Sequence, residues 1–334
     1  MKKPLLALVV LGVFSGATYA QSSVTVYGVA DLGFVLERGG PAGSVSKISS
    51  GVEAGSRLGF KGSEDLGNGL STYFVLEMGI GMDTGGSNQG NTAFGRQALV
   101  GFKGDFGSIS LGRQYTPLFL ALDNVDPFGT GLAGASTNLF AYYPTTGNPR
   151  VKNAVVYKTP AMNGFSGSVV YGFGEVAGST AASRQMGLSV NYESGPVVLT
   201  FAHHETNDAT ASDSEKTTLV GGTYNVGPAM VHLVYDSNSG VGGARNDDFL
   251  VGVSAPVGAG KLMLSYIRKN DKSSLNQDAS QLAIGYTYAL SKRTNVYTSY
   301  ARISNKNGGA YTVGNAIESG TGDQAFNLGI RHTF

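Results

Sequence analysis

The chain ends with the stretch Gln324-Ala-Phe-Asn-Leu-Gly-Ile-Arg-His-Thr-Phe334, in which apolar residues alternate with small or polar ones. Side chains point to opposite faces along a β-strand, so this strand has one apolar face and one polar face. It reaches the final residue, an aromatic one, although exposed termini usually fray. A strand that closes a barrel in a bilayer has a reason to end there, because closure leaves no free edge. The stretch therefore predicts a membrane β-barrel.

The first twenty residues predict export. Lys2 and Lys3 precede an apolar segment, residues 5–13, that is shorter than the roughly 20 apolar residues of a bilayer-spanning helix. Small residues, Thr18 and Ala20, then stand three positions and one position before the expected cleavage. This is the pattern of a secretory signal peptide. We therefore expect residues 1–20 to be removed and residues 21–334 to form a single domain.

Composition narrows the class of protein. The chain has 50 glycines, 17 tyrosines and 16 phenylalanines, but no cysteine and no tryptophan. Without cysteine, an exported chain has no disulfides to stabilise it. Apart from Lys2 and Lys3, 22 basic residues stand against 23 acidic ones, a formal charge of −1. This balance gives no reason to expect a nucleic-acid partner, and none is expected; the placement of the charges matters more than their sum.

The connections between period-two segments are of two kinds. Seven are short and rich in turn-forming residues. Eight are longer and polar. Fifteen connections join sixteen strands, and the first and last strands then have their free ends at the rim that carries the short turns. An even strand number, short turns at one rim and long loops at the other are typical of outer-membrane barrels. The longer connections cover residues 35–55, 81–92, 114–149, 174–183, 207–214, 239–246, 270–279 and 304–323.

Alternation within the strands favours a barrel over a soluble β-sandwich, which also alternates. The segment around residue 284 is representative, with an apolar series Leu282, Ile284, Tyr286 and Tyr288. Apolar faces that end in tyrosine recur on successive strands, as the aromatic girdles of a membrane barrel require. A barrel of sixteen strands is wide enough to leave an aqueous lumen. The pattern therefore predicts a pore.

Four segments, taken in chain order, resemble the Gram-negative general diffusion porins, and most closely the trimeric porins of β-proteobacteria. Each alone is weakly specific, but the ordered set spans the mature chain. The segments are Arg57-Leu-Gly-Phe-Lys-Gly-Ser-Glu-Asp-Leu-Gly-Asn-Gly-Leu70, Phe94-Gly-Arg-Gln-Ala-Leu-Val-Gly-Phe-Lys-Gly104, Asn153-Ala-Val-Val-Tyr-Lys-Thr-Pro160 and Gly329-Ile-Arg-His-Thr-Phe334.

The resemblance implies an all-β fold, a 16-stranded antiparallel transmembrane β-barrel whose long third loop folds into the lumen and narrows it. It implies passive diffusion of ions and small hydrophilic solutes, a homotrimer, and contact with outer-membrane lipid and lipopolysaccharide. The terminal aromatic residue, Phe334, resembles the signal read by the outer-membrane assembly machinery. No cofactor and no metal ion are expected.

In such porins the third loop carries the acidic side of the constriction, and the resemblance assigns this role to Asp123 and Asp126. The segment Asp126-Pro-Phe-Gly-Thr130 departs here from the Pro-Glu-Phe-Gly-Gly of the family. An alternative is that both aspartates only form turns beside Asn124 and Pro127.

The resemblance places the basic wall opposite, at Arg57, Arg96 and Arg150, with Lys61 nearby. Alternation supports Arg57, because Leu58 and Phe60 occupy the lipid-facing parity and an arginine facing lipid would cost about 2–4 kcal/mol at mid-membrane. Arg96 shares its parity with apolar residues, so only the motif places it inside. The alternative for each of these arginines is that it is an ordinary cation at the membrane interface or in a loop, without a role in the constriction. Other candidates for the wall are Arg113 and Lys152, and for inward-facing acids Glu77 and Asp31.

Three arginines against two aspartates predict a weak anion preference, because fixed charges in a constriction sort charged solutes. A barrel with a plugged lumen and a structural or adhesive role is the alternative. An enzyme is not expected, since the chain lacks a Gly-x-Ser-x-Gly elbow and a His-Glu-x-x-His motif. Of the histidines, His203 and His332 extend outward-facing series, whereas His232 is predicted to face the lumen.

Overall fold

The computed structural model describes residues 23–140 and 149–334. The predicted signal peptide, residues 1–20, lies outside the described residues. Within those ranges no helix has both the length and the hydropathy needed to cross a membrane.

The described residues form a closed antiparallel barrel of sixteen strands, as predicted. Of eighteen strand segments, β2 and β3 both pair with β1 and make up one barrel strand, while β5 has only two residues and lies in a loop. The segments are β1 (Ser23–Gly40), β2 (Gly43–Ser50), β3 (Arg57–Gly67), β4 (Leu70–Gly81), β5 (Gly86–Ser87), β6 (Gln97–Gly104), β7 (Gly107–Tyr115), β8 (Arg150–Lys158), β9 (Phe165–Gly172), β10 (Gln185–Ser194), β11 (Val197–Asn207), β12 (Ser214–Asn225), β13 (Met230–Ser239), β14 (Arg245–Val257), β15 (Gly260–Asp271), β16 (Ala279–Ala289), β17 (Thr294–Asn305) and β18 (Gln324–Thr333).

The terminal strand closes the barrel against the first one. β18 pairs antiparallel with β1 from Val29 opposite Thr333 to Arg38 opposite Gln324. Phe334 then exchanges two backbone hydrogen bonds with Gly28, both of 3.1 Å. This pairing closes the ring of sixteen barrel strands, which is what a β-structure in lipid requires.

The two faces of the wall follow the predicted alternation. On β16, Leu282 and Ile284 point outward and are 66% and 47% exposed, while Gln281 and Ala283 point inward and are buried. The outer surface is apolar and the interior carries the polar and small residues, as membrane barrels do. The prediction that His232 faces the lumen also holds, because its ring is buried there and donates to the Val125 carbonyl oxygen of the third loop.

The first predicted loop, residues 35–55, is wrong in its extent. β1 continues to Gly40 and β2 returns from Gly43 to Ser50, so only the hairpin tip and residues 51–56 are irregular. The backbone ladder extends past the lipid region, where neither face needs apolar residues. Most side chains of β2 are small or polar on both faces, so hydrophobic alternation does not identify it as a strand.

The described part of the third loop, residues 116–140 and 149, lies inside the barrel as predicted and contains the helix α1 (Pro117–Val125) and a 3-10 turn, Ser136–Asn138. Thr116 caps α1 by accepting a hydrogen bond from the Phe119 backbone N–H at 3.1 Å, and Pro117 suits the first helical position. The buried face of the helix packs against the inner wall formed by β9 to β13. That face consists of Leu118, Ala121, Leu122 and Val125.

Candidate functional site: the channel constriction

Polar side chains of the barrel wall anchor the third loop along its length. The His232 ring lies 2.9 Å from the Val125 carbonyl oxygen at the end of α1, and Ser299 Oγ accepts from the Ala133 backbone N–H at 3.1 Å. Farther along, Lys269 Nζ donates to the Leu139 carbonyl at 2.8 Å. These three anchors come from β13, β17 and β15, so the loop is fastened across the lumen rather than left hanging into it.

The wall also makes room for the loop with glycine. A Cβ atom on Gly252 would come within 2.7 Å of Pro127 Cγ, and one on Gly285 within 2.7 Å of Phe128 Cε1. Real Cβ atoms do not approach so closely, so any larger residue at these inward-facing positions would displace the loop. Glycine at these positions thus allows the side chains of Pro127 and Phe128 in the third loop to pack closely against the wall.

Asp126 organises the loop from within. Its carboxylate accepts hydrogen bonds from the backbone N–H groups of Phe128, Thr130 and Ser136 at 2.9, 3.0 and 3.0 Å, and from Ser136 Oγ at 2.6 Å. The side chain is buried and does not line the lumen cavity. The alternative considered from the sequence, turn chemistry, therefore describes this residue, and the structure does not bring it to the acidic wall.

A cavity beside the described part of the third loop has a volume of about 1180 Å³. Four of the residues assigned to the constriction line it together, and they are Arg57, Arg96, Arg150 and Asp123. Lys61 follows Arg57 by four positions on β3, about 13 Å nearer the short-turn rim. It is exposed there, with its Nζ 5.1 Å from the centroid of the Tyr27 ring.

Arg96 lies inside the barrel although strand parity would have placed it outside. The strand β6 begins only at Gln97, so alternation does not extend to Arg96. Its backbone N–H donates to the Glu77 carbonyl at 3.1 Å, and its Nε donates to Glu77 Oε1 at 2.7 Å. Glu77 also accepts from Tyr27 Oη at 2.9 Å. The inward-facing acid considered from the sequence is thus the ion-pair partner of Arg96.

Tyr115 bridges two of the arginines, and the sequence did not predict it as a residue of the site. Its Oη accepts from Arg96 Nη2 at 2.6 Å and from Arg150 Nη2 at 2.5 Å. By parity it matches Ile109 and Leu111, which face lipid. It is nevertheless the last residue of β7, where the chain leaves the wall to enter the third loop, and it lines the cavity. Alternation could not show this, because the change of direction depends on the fold of the loop.

The acidic groups at the cavity differ in how far they are neutralised. Glu53 forms an ion pair with Arg331 at 3.2 Å, and Glu318 pairs with Lys47 at 3.0 Å. Asp123 accepts from Thr130 Oγ1 at 2.8 Å and forms no ion pair within residues 23–140 and 149–334. Burial raises the pKa of the Asp123 carboxyl above its ordinary value, because desolvation disfavours the charged form. The carboxyl is therefore protonated at a higher pH than an ordinary aspartate.

Two further insertions shape the cavity, and neither was recognised as part of the site. Residues 51–56 turn inward from the wall between β2 and β3, and Asp31 fixes them by accepting from the Glu53 and Ala54 backbone N–H groups at 2.8 and 2.6 Å. The eighth loop, residues 306–323, reaches the third loop where the Gly314 backbone N–H donates to Asn138 Oδ1 at 2.9 Å. Contacts between residues so distant in the sequence have no local signature.

The remaining basic candidates stand apart from this cluster. Arg113 Nε donates to the Gly95 carbonyl at 2.7 Å and so supports the segment that carries Arg96, while Lys152 is exposed. Within the part of the chain that the structure describes, no three His, Cys, Asp or Glu side chains are grouped to hold a metal ion.

Comparison with known proteins agrees with this geometry. The family model described as Gram-negative porin matches residues 7–308. Outer membrane porin protein 32 of Delftia acidovorans is 33% identical over 359 aligned positions covering all of both chains, and an outer membrane porin of Bordetella pertussis is 28% identical, again over both whole chains. A solved anion-selective porin from Comamonas acidovorans has 29% identity and a TM-score of 0.82, with 94% of this chain and all of that one covered.

The barrel, its inward-folded third loop and these matches lead to one assignment. Porins of this family are known as channels rather than enzymes. The chain belongs to the Gram-negative porin family and is an outer-membrane porin, a multi-pass β-barrel that forms a channel.

Proposed function

We propose that this porin conducts ions and small hydrophilic solutes passively, without catalysis, and that its constriction gives a weak preference for anions. The observation that carries the proposal is the cluster of Arg57, Arg96 and Arg150 on one side of the lumen cavity. A guanidinium stays charged at any physiological pH. In a narrow passage its field acts over a few ångströms, whereas charges on the outer surface are screened beyond about 8 Å.

The balance of ion pairs supports a weak preference rather than a strong one. Glu77 offsets Arg96, whereas Arg57 forms no ion pair among residues 23–140 and 149–334, and its buried Nε has no acceptor there. At the outer mouth, Lys47 is shared between Glu37 and Glu318, both at 3.0 Å. Two carboxylates against one ammonium leave a net negative charge at this mouth, which repels anions entering from outside and so reduces the anion preference set by the arginines. The anion-selective porin of Comamonas acidovorans has a similar fold and adds support.

The remaining assignments rest on the resemblance. We infer that Asp123 forms the acidic side of the constriction, that residues 1–20 are a signal peptide, that three copies assemble in lipopolysaccharide-containing membrane, and that Phe334 is read by the assembly machinery. Lys61 is expected to contribute charge on the periplasmic side of the constriction, and Asp126 to shape the loop.

Single-channel recording in planar bilayers tests the proposal. Purified protein is expected to give stepwise, long-lived conductance in symmetric KCl, and a reversal potential in a KCl gradient that indicates faster chloride than potassium. A cation-selective reversal potential would overturn the anion preference. Absence of stepwise conductance would instead favour the plugged barrel considered from the sequence, against which the cavity of about 1180 Å³ argues.

A further inference from the structure

Tyr115 holds two positively charged groups against one neutral oxygen. Arg96 and Arg150 donate to its Oη from either side, at 2.6 and 2.5 Å. The Arg150 guanidinium also lies over the ring, 4.3 Å from its centroid, which is a favourable cation–π distance. Like charges so close repel each other, and a shared acceptor offsets part of that repulsion. The phenol is therefore what allows these two guanidiniums to present one continuous basic surface.

Among the described residues, no group accepts the hydroxyl proton of Tyr115, which leaves it available for a solute. A phenolic hydroxyl both donates and accepts hydrogen bonds. Here the two guanidiniums, which can only donate, take the accepting side of the oxygen. Within residues 23–140 and 149–334, no hydrogen bond has the Tyr115 hydroxyl as its donor. Because Tyr115 lines the cavity, its O–H can point only toward the lumen or toward groups that border it.

The ring of Tyr115 is fixed by the third loop. Phe119, in the first turn of α1, stacks on it with a centroid distance of 5.2 Å and an interplanar angle of 14°. Two guanidiniums bind the hydroxyl oxygen and the Phe119 ring stacks on the face of the Tyr115 ring, so the phenol has little freedom to rotate. A donor fixed in this way loses little conformational entropy when it meets a ligand.

We propose that Tyr115 is a specificity-determining residue, whose hydroxyl donates a hydrogen bond to an oxyanion in the constriction while Arg96 and Arg150 hold its charge. The inference rests on the proposed anion preference and adds a chemical class to it. Guanidiniums bind the oxygens of phosphate or carboxylate groups in pairs. Chloride has no such oxygens to match three directed donors. The site therefore favours small oxyanions over halide beyond what charge alone would give.

Block of chloride current by inorganic phosphate measures this contact. Phosphate in the bath is expected to reduce single-channel chloride conductance in the wild type. Tyr115→Phe keeps the ring and removes the hydroxyl, so the half-blocking phosphate concentration should rise about tenfold. That factor corresponds to about 1.4 kcal/mol, close to the lower limit for a hydrogen bond to a charged group.

Two controls separate the hydroxyl from other effects. Phe119→Leu removes the stacked ring but keeps the Tyr115 hydroxyl, and Tyr235→Phe removes a hydroxyl from the lipid-facing surface. Because Phe119 helps to hold the Tyr115 ring, Phe119→Leu should raise the half-blocking phosphate concentration less than Tyr115→Phe does, and Tyr235→Phe should block as the wild type does. Only inserted channels are recorded, so poor folding would lower the number of insertions and leave the block of each channel unchanged.

The outcomes are distinguishable. Wild-type block by phosphate that survives unchanged in Tyr115→Phe would overturn the inference, and so would an equal loss of block in Phe119→Leu, because ring packing would then be responsible. A wild-type channel that prefers cations would overturn the proposed anion preference itself. A loss of phosphate block that is clearly larger in Tyr115→Phe than in Phe119→Leu, and absent in Tyr235→Phe, would establish the contact.

Discussion

Replacing Lys269 by methionine should destabilise the barrel and release the end of the third loop. Lys269 is 2% exposed, and its Nζ lies 3.1 Å from both carboxylate oxygens of Asp248 and 2.8 Å from the Leu139 carbonyl. Asp248 is fully buried, and a second buried acid, Asp236, lies in the same cluster. Without Lys269, the hydrogen bonds from the amides of Asn238 and Asn246 would remain, but the positive charge that offsets Asp248 would be gone.

The magnitude follows from the burial of the pair. Removing one partner of a buried ion pair leaves an uncompensated charge and typically costs about 3–5 kcal/mol. Lys261→Met is the matched control, because Lys261 lies on the same strand and its Nζ also donates to a third-loop carbonyl, that of Pro127 at 3.3 Å. It has no ion pair within the described residues and should cost less than about 1.5 kcal/mol. A double variant, Lys269→Met with Asp248→Asn, should recover about half of the loss.

The assay is urea-induced unfolding in detergent micelles, followed by far-ultraviolet circular dichroism because the chain has no tryptophan. Single-channel recordings of the same variants should show added current noise in Lys269→Met and none in Lys261→Met, since only the former frees the loop near Leu139. Equal unfolding midpoints for the two lysine variants would refute the reasoning. So would a double variant less stable than Lys269→Met.

Three further predictions address charge, pH and assembly. Glu77→Gln removes the carboxylate paired with Arg96, so the reversal potential in a KCl gradient should move farther toward chloride; a shift toward potassium would contradict the assignment of Glu77 to the constriction. Burial raises the pKa of Asp123, so on acidification its carboxyl is protonated at a higher pH than an ordinary aspartate, the loop loses negative charge, and anion preference should increase. Asp123→Asn should show the increased preference already at neutral pH and lack this part of the pH response; an anion preference that falls in acid would count against the role. Deletion of Phe334, which forms the closing backbone bonds with Gly28, should lower the yield of assembled barrels in outer-membrane fractions while leaving the conductance of inserted channels unchanged, and normal yield would refute its role in assembly.

The barrel could be predicted from the sequence because its two main signals are local. Alternation along a strand reports which face meets lipid, and turn residues such as those between β14 and β15 mark where strands reverse. Sixteen strands, a terminal strand that closes the barrel and the inward third loop were all predicted correctly. The extent of β2 was missed because small and polar side chains predominate on both faces of that segment.

The constriction could be predicted only in part, because its geometry depends on distant contacts. Arg57 lies on a strand that alternates clearly, whereas Arg96 and Tyr115 lie at strand ends where parity no longer applies. The ion pair between Glu53 and Arg331 joins residues at opposite ends of the chain. The inward turn of residues 51–56 and the contact of the eighth loop with Asn138 likewise arise only after the barrel has closed.

Comparing the reversal potentials of the wild type and Arg57→Ala in the same KCl gradient tests the central claim most directly. Arg57 lines the cavity and has no ion pair within the described residues, so its removal takes away positive charge without leaving a buried acid unpaired. The wild type should favour chloride, and Arg57→Ala should shift toward potassium with little change in conductance at high salt, where charge is screened. An identical reversal potential in the two channels would contradict the account.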